Sequence, residues 1–128
     1  MKPGDPCPCG SGAKYAACCA PLHAGAAPAA SAEALMRSRY SAYGLKLEEY
    51  LLATWHPSTR PSELDLSADD SKWLGLEVKR NAAQDDSHAT VEFVARYRIA
   101  GRGHRLHELS RFIREDGRWY YVDGDMLT

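Results

Sequence analysis

The sequence has no cysteine beyond residue 19, no dominant charge, no long apolar run and no internal repeat. Each lack removes a class of protein. Lys and Arg total 16 against 17 Asp and Glu, a formal charge of −1, where a nucleic-acid binder would carry a strong positive excess. No stretch approaches the roughly 18 apolar residues that cross a bilayer, so no membrane partner is expected. Behind Lys2, Asp5 and the Pro/Gly/Cys content leave no apolar segment, so the start does not read as a secretory signal and a cytoplasmic location is expected. The Ala-rich stretch from Ala24 to Ala34 mimics a cleavage site without the apolar segment that should precede it. There is no phosphate loop, nucleophile elbow or second metal signature.

What is present is concentrated near the start. Cys7, Cys9, Cys18 and Cys19 are all the cysteines of the chain. In a reducing compartment such a cluster is more often a metal site than a disulfide, and four thiols read as one tetrahedral zinc. Pro8 stiffens the link between Cys7 and Cys9. Gly10-Ser11-Gly12 supplies a tight turn where side chains would crowd the ion. Ala13 to Cys19 reads as a short helical turn returning Cys18 and Cys19, with Lys14 as a local counter-charge. Adjacent residues on a helix point about 100° apart, so both can ligate only if the helix ends there, and Ala20-Pro21 is read as that ending. His23 is the substitute ligand if Cys18 or Cys19 does not reach. Four protein ligands leave no position for a catalytic water, so the single Zn2+ is expected to be structural.

The stretch from Gly4 through Cys9-Gly10-Ser11-Gly12 and Lys14-Tyr15 to Cys18-Cys19 resembles the SEC-C zinc motif, known from the tail of the SecA translocation ATPase. The resemblance implies zinc and, by analogy with SecA and its chaperone SecB, a protein partner. Two departures stand out. Ala13, Ala16 and Ala17 replace the basic residues usual around the tyrosine, and Cys19 stands where the SecA version commonly has histidine.

Beyond the cysteines, Leu22 to Ala30 reads as a low-complexity linker. Ser31 is an N-cap, and Leu35, Met36, Arg39, Tyr40 and Tyr43 recur at helical spacing up to about Gly44. A second helix is expected from about Lys46 to Trp55, and a third around Ser62 to Asp70. Four alternating segments follow. One side is expected to carry Leu74, Leu76 and Val78, then Val91, Phe93, Ala95, Tyr97 and Ile99. Turns fall at Gln84-Asp85-Asp86, Gly101-Arg102-Gly103 and Glu115-Asp116-Gly117. Helices first and strands after mean α+β, with two to three helices on a curved four-stranded antiparallel sheet. The expected organisation is a module over residues 1–23, a linker over 24–30 and a domain over 31–128, with chelation unfolding about residues 5–20 and sparing the sheet.

Local segments sharpen this. Leu35-Met36-Arg37-Ser38-Arg39-Tyr40, Thr54-Trp55-His56-Pro57, Glu108-Leu109-Ser110-Arg111-Phe112 and Trp119-Tyr120-Tyr121-Val122-Asp123-Gly124 resemble the YchJ family of bacterial proteins. That resemblance implies a SEC-C motif joined to a cone-like, nuclear-transport-factor-2-like domain, and covers nearly the whole chain.

Candidate chemistry in the domain is sparse. Glu108 falls on an apolar strand face, with Arg39 or Arg37 as its natural partner. His56 ends the second helix, and a His56–Glu108 pair beside Tyr40 and Arg39 could move a proton. Trp55, Trp73, Trp119, Tyr120 and Tyr121 are expected in the core. Arg96, Arg98, Arg102, Arg105, Arg111, Arg114 and Arg118 cluster on the hairpins near Tyr97 and Tyr120, a pattern open to single-stranded RNA but more simply a solvated, ion-paired face. The leading expectation is a zinc-binding adaptor contacting a protein through its SEC-C motif. The alternatives are a small enzyme or small-molecule binder around His56, Glu108 and Arg39, and an RNA-binding module.

Overall fold

A computed structural model describes residues 4–25, 28–64, 66 and 71–127. Among these residues three α-helices, α1 (Ala20–His23), α2 (Ala32–Leu45) and α3 (Glu48–Ala53), precede four strands, β1 (Lys72–Ala83), β2 (His88–Ile99), β3 (Arg102–Glu115) and β4 (Arg118–Met126). The strands form one antiparallel meander in the order β1-β2-β3-β4, so the expected α+β arrangement is the observed one. Among the described residues no helix is long and apolar enough to cross a membrane.

Local chemistry sets the boundaries. The Ser31 hydroxyl accepts from the Ala34 N–H and caps α2. That helix ends on Lys46 in the left-handed region (φ 58°) rather than on Gly44. Between β2 and β3 the turn residues Ala100 and Gly101 both have positive φ, as do Asp116 and Gly117 between β3 and β4, the geometry that matches the twist of a two-residue hairpin. Asp85 closes the first hairpin through its carboxylate, which accepts from the Ser87 N–H at 2.7 Å.

The core lies between α2 and one face of the sheet, where Leu35, Met36 and Tyr40 meet Val91, Phe93, Ala95 and Phe112. Leu76 and Val78 pack against it, but Leu74 is 53% exposed. A register shift between Trp73 and Gly75 turns Trp73 inward in its place, an irregularity that re-aims side chains. Ile99 also lies outside, at 38% exposure. Trp73, Trp119 and Tyr121 border the core rather than fill it.

α3 is shorter than the expected helix, because Trp55 leaves it to form a bridge to Tyr121. The Tyr121 N–H donates to the Thr54 carbonyl and the His56 N–H to the Tyr121 carbonyl, at 2.9 and 2.7 Å. This segment covers the free edge of β4, which would otherwise be open to pairing with another chain. The helix expected around Ser62 to Asp70 falls largely outside the described residues, although Leu66 is buried against Ala42 and Leu51.

Candidate metal centre

The N-terminal segment folds back on itself. The Cys7 N–H donates to the Ala13 carbonyl and the Tyr15 N–H to the Asp5 carbonyl, both at 2.9 Å. Gly10 (φ 76°) and Gly12 (φ 88°) make the reversal in a region costly for other residues. A single 3-10 turn, Tyr15–Ala17, then brings the chain back.

This hairpin converges the four thiols. The sulfurs of Cys7, Cys9, Cys18 and Cys19 all lie within 4.8 Å of one another, with 3.6 Å between Cys9 and Cys18 and 3.9 Å between Cys18 and Cys19. Cys7, Cys9 and Cys19 are buried and Cys18 is partly open. Contact with Cys19 pulls the Cys9 thiol down to about 4, and the same contact pushes Cys19 up. Thiolates this close repel one another, and a cation among them removes the repulsion. The donor set therefore suits a metal ion, and the four cysteines would hold it.

The two adjacent cysteines converge by a route the spacing did not indicate. The 3-10 turn stops at Ala17, Cys18 adopts a non-helical backbone (φ −122°, ψ −95°), and α1 starts at Ala20. Pro21 thus opens a helix rather than closing one, a position where its missing N–H is no loss.

His23 is not among the converging donors. Its Nε2–H donates to the Ser38 carbonyl at 2.8 Å, leaving Nδ1 to accept from the Tyr15 hydroxyl at 2.7 Å. With both nitrogens engaged, its role is to fasten the module to α2. Burial pushes its pKa below the usual value, only partly offset by the Ser38 carbonyl. Below about pH 6.5 the unfolded chain binds a proton that the native imidazole resists. Native stability therefore falls as pH drops through that value, and the slope between about pH 6.5 and 5 should be shallower in His23→Gln. Urea unfolding across that range, with both proteins metal-loaded, checks this.

α2 supplies the rest of the setting. Ser41 Oγ lies 3.3 Å from Cys19 Sγ and 3.7 Å from Cys7 Sγ. Arg37 donates to the Cys9 carbonyl at 2.9 Å while pairing with Glu33 at 3.0 Å. The cation beside the sulfurs is thus Arg37, whereas Lys14 is exposed. Arg37 and Ser41 stand one turn apart on one face, a spacing readable in the sequence but without meaning until the cysteines are placed against it.

The second candidate group separates. Arg39, Tyr40 and Glu108 line one cavity beneath α2. His56 is elsewhere, bonded through Nε2 to Glu115 at 2.9 Å and through Nδ1 to Ser58 at 2.7 Å, so the His56–Glu108 pair does not form. Nor does the expected Arg39–Glu108 pair. Arg39 Nη1 donates to the Leu51 carbonyl and to Thr54 Oγ1, each at 2.7 Å, and its guanidinium lies over the rings of Trp55 and Tyr121. Glu108 instead accepts from Ser110 and Tyr121. Of the basic cluster, Arg111 is bonded to Asp123 and Asp125, and Arg96 lies opposite Arg105 on neighbouring strands.

Comparison with known proteins agrees with this architecture. The model of the YchJ middle NTF2-like domain matches residues 31–124, and that of the SEC-C motif matches residues 5–21. A UPF0225 protein of Bordetella pertussis is 63% identical over 122 residues, spanning 94% of this chain and 92% of its own. Another from Ralstonia nicotianae is 58% identical, spanning 97% and 93%. Two solved structures share the fold. One is a SEC-C motif containing protein from Rhodopseudomonas palustris, with TM-score 0.87 and 41% identity over 97% of this chain and 100% of that one. The other is from Psychrobacter arcticus, with TM-score 0.79 and 31% identity over 95% and 82%.

Proposed function

This chain belongs to the YchJ family (UPF0225), and from that premise we propose that it is a cytoplasmic adaptor whose SEC-C hairpin, ordered by one structural zinc, contacts a protein partner. The observation that carries the reading is the closed set of four sulfurs within 4.8 Å, three of them buried. Sulfurs around a tetrahedral zinc, with bonds of about 2.3 Å, stand about 3.8 Å apart, close to the 3.6 and 3.9 Å between neighbours here. Four thiolates saturate such an ion, so it organises the backbone and does no chemistry. The outer side of the hairpin, Gly10 to Lys14 with Ala16 and Ala17, is exposed. It is a metal-ordered surface available for contact.

Elemental analysis of protein purified without added metal should find one zinc per chain, and Cys9→Ser should lose it. Iron in the wild type, or metal-free folded protein, would overturn the zinc assignment. The adaptor role is tested with the immobilised zinc-loaded chain against the Cys9→Ser variant in native cytosol. A partner retained only by the loaded chain is expected, and identical retention by both would sink the role.

A further inference from the structure

The cavity beneath α2 holds about 180 Å³, and a cavity of about 150 Å³ is enough to take a benzene ring. Half of its lining residues are aromatic, among them Tyr40, Trp73, Phe93, Phe112 and Tyr121. One carboxylate, that of Glu108, is set among them. The way Glu108 is held is informative. It faces no cation within salt-bridge distance among the described residues. It is seated by neutral donors, the buried Ser110 hydroxyl and the Tyr121 hydroxyl at 3.5 Å, both on Oε2. Gly124 on the adjacent strand makes room for it, since a Cβ there would collide with the carboxylate. An ionised carboxylate can accept about four hydrogen bonds, and Oε1 has no partner among the described residues. Arg39, the one cation in the wall, does not supply it. Its Nη1 is taken by Leu51 and Thr54, and its guanidinium lies against the rings of Trp55 and Tyr121.

An unpaired carboxylate surrounded by π-faces is the chemistry that recognises an organic ammonium, because the charge meets the carboxylate and the ring quadrupoles together. The wall also contains a spectroscopic reporter, the ring of Trp73, which lines the cavity.

We propose that this cavity is a binding site for a small protonated amine of about the size of a benzyl group, with its ammonium on Glu108 and its apolar body against the aromatic wall. The site is separate from the metal centre and does not rest on the adaptor reading.

The test uses the zinc-loaded full chain titrated with three probes of one shape, benzylamine, benzyl alcohol and benzoate, followed by the 15N–1H signals of the three indoles. The Trp73 signal is identified by its loss in Trp73→Phe. Benzylamine should give a saturable shift of the Trp73 signal and bind about tenfold tighter than benzyl alcohol, and benzoate should not bind. Glu108→Gln should remove the tenfold preference while leaving benzyl alcohol unchanged. Should that variant fail to fold, Ala95→Leu decides, because it fills the cavity from a buried wall position and should abolish benzylamine binding in a folded protein. Tighter binding of benzoate would mark an Arg39 anion site and overturn the proposal. So would an amine preference surviving in Glu108→Gln, benzylamine binding surviving in folded Ala95→Leu, or no saturable shift with benzylamine.

Discussion

Removing the metal assigned to the four cysteines should lower the melting temperature by more than about 10 °C and release α2 together with the hairpin. Small structural zinc modules gain about 10–16 kcal/mol of apparent binding energy, comparable to the whole stability of an ordinary domain. Where that energy acts depends on packing. Cys7, Cys9 and Cys19 belong to the same buried cluster as Leu35, Met36, Tyr40 and Phe93. The hairpin is tied to α2 by Ser41 at the sulfurs, by Arg37 at the Cys9 carbonyl and by His23 at the Ser38 carbonyl. Without the cation, several sulfurs are left close together beneath a helix and the hairpin loses its organising bonds. α2 then loses one of the surfaces it is buried against. The sheet should persist longest, because the strands pair continuously from β1 to β4. Hydrogen exchange with and without chelator checks this. Protection should be lost over residues 5–24 and through α2, and kept in β2 and β3. Loss confined to residues 5–20 would restore the picture of an independent module drawn from composition alone.

The contacts between the hairpin and α2 illustrate what spacing can carry. Contacts within about ten residues were readable. The positive-φ turn at Asp116-Gly117, the Ser31 cap and the alternation of Val91, Phe93 and Ala95 all follow from local backbone and side-chain chemistry, as does the clustering of the cysteines. Contacts between distant elements were not. Ser38 and Ser41 look like a polar helix face, yet both are fully buried, because Ser38 bonds to Tyr50 of α3 and Ser41 to the cysteine sulfurs. Val94 falls on the face opposite Val91, Phe93 and Ala95 and is also fully buried. Leu74 is displaced by a shift in register that no alternation pattern encodes. Glu108 and Arg39 were rightly placed near one another, but each found another partner, since a strand residue and a helix residue some seventy positions apart can share a cavity without touching.

Replacing Arg39 by alanine should destabilise the metal-loaded protein by about 3–5 kcal/mol, the range expected when a buried charge network is broken or a large buried side chain removed. Arg39 is 5% exposed and joins three elements. From α2 it reaches the Leu51 carbonyl of α3, Thr54 just after it, and the ring pair formed by Tyr121 of β4 and Trp55, at 4.7 and 5.0 Å. Burial lowers its pKa, yet a guanidinium starts so high that it stays charged, and its cost is offset by one carbonyl acceptor, one hydroxyl acceptor and two neighbouring aromatic rings. Truncation leaves the Leu51 carbonyl and the Thr54 hydroxyl short of a donor and opens a void beside the Trp55 and Tyr121 rings. Arg39→Lys should recover little, because an ammonium lacks the planar group that lies against the Trp55 and Tyr121 rings while donating to Leu51 and Thr54. Arg39→Met should recover most of the packing and none of the hydrogen bonds, placing it between alanine and wild type. Urea unfolding of the three variants at saturating zinc gives the order. A loss below about 1 kcal/mol in Arg39→Ala, within the range of an exposed ion pair, would show that the guanidinium is not what joins α3 and β4 to the central helix. The long contact path from Arg39 to the β4 edge would then have to be carried by the backbone pairing of Thr54 and His56 with Tyr121 alone.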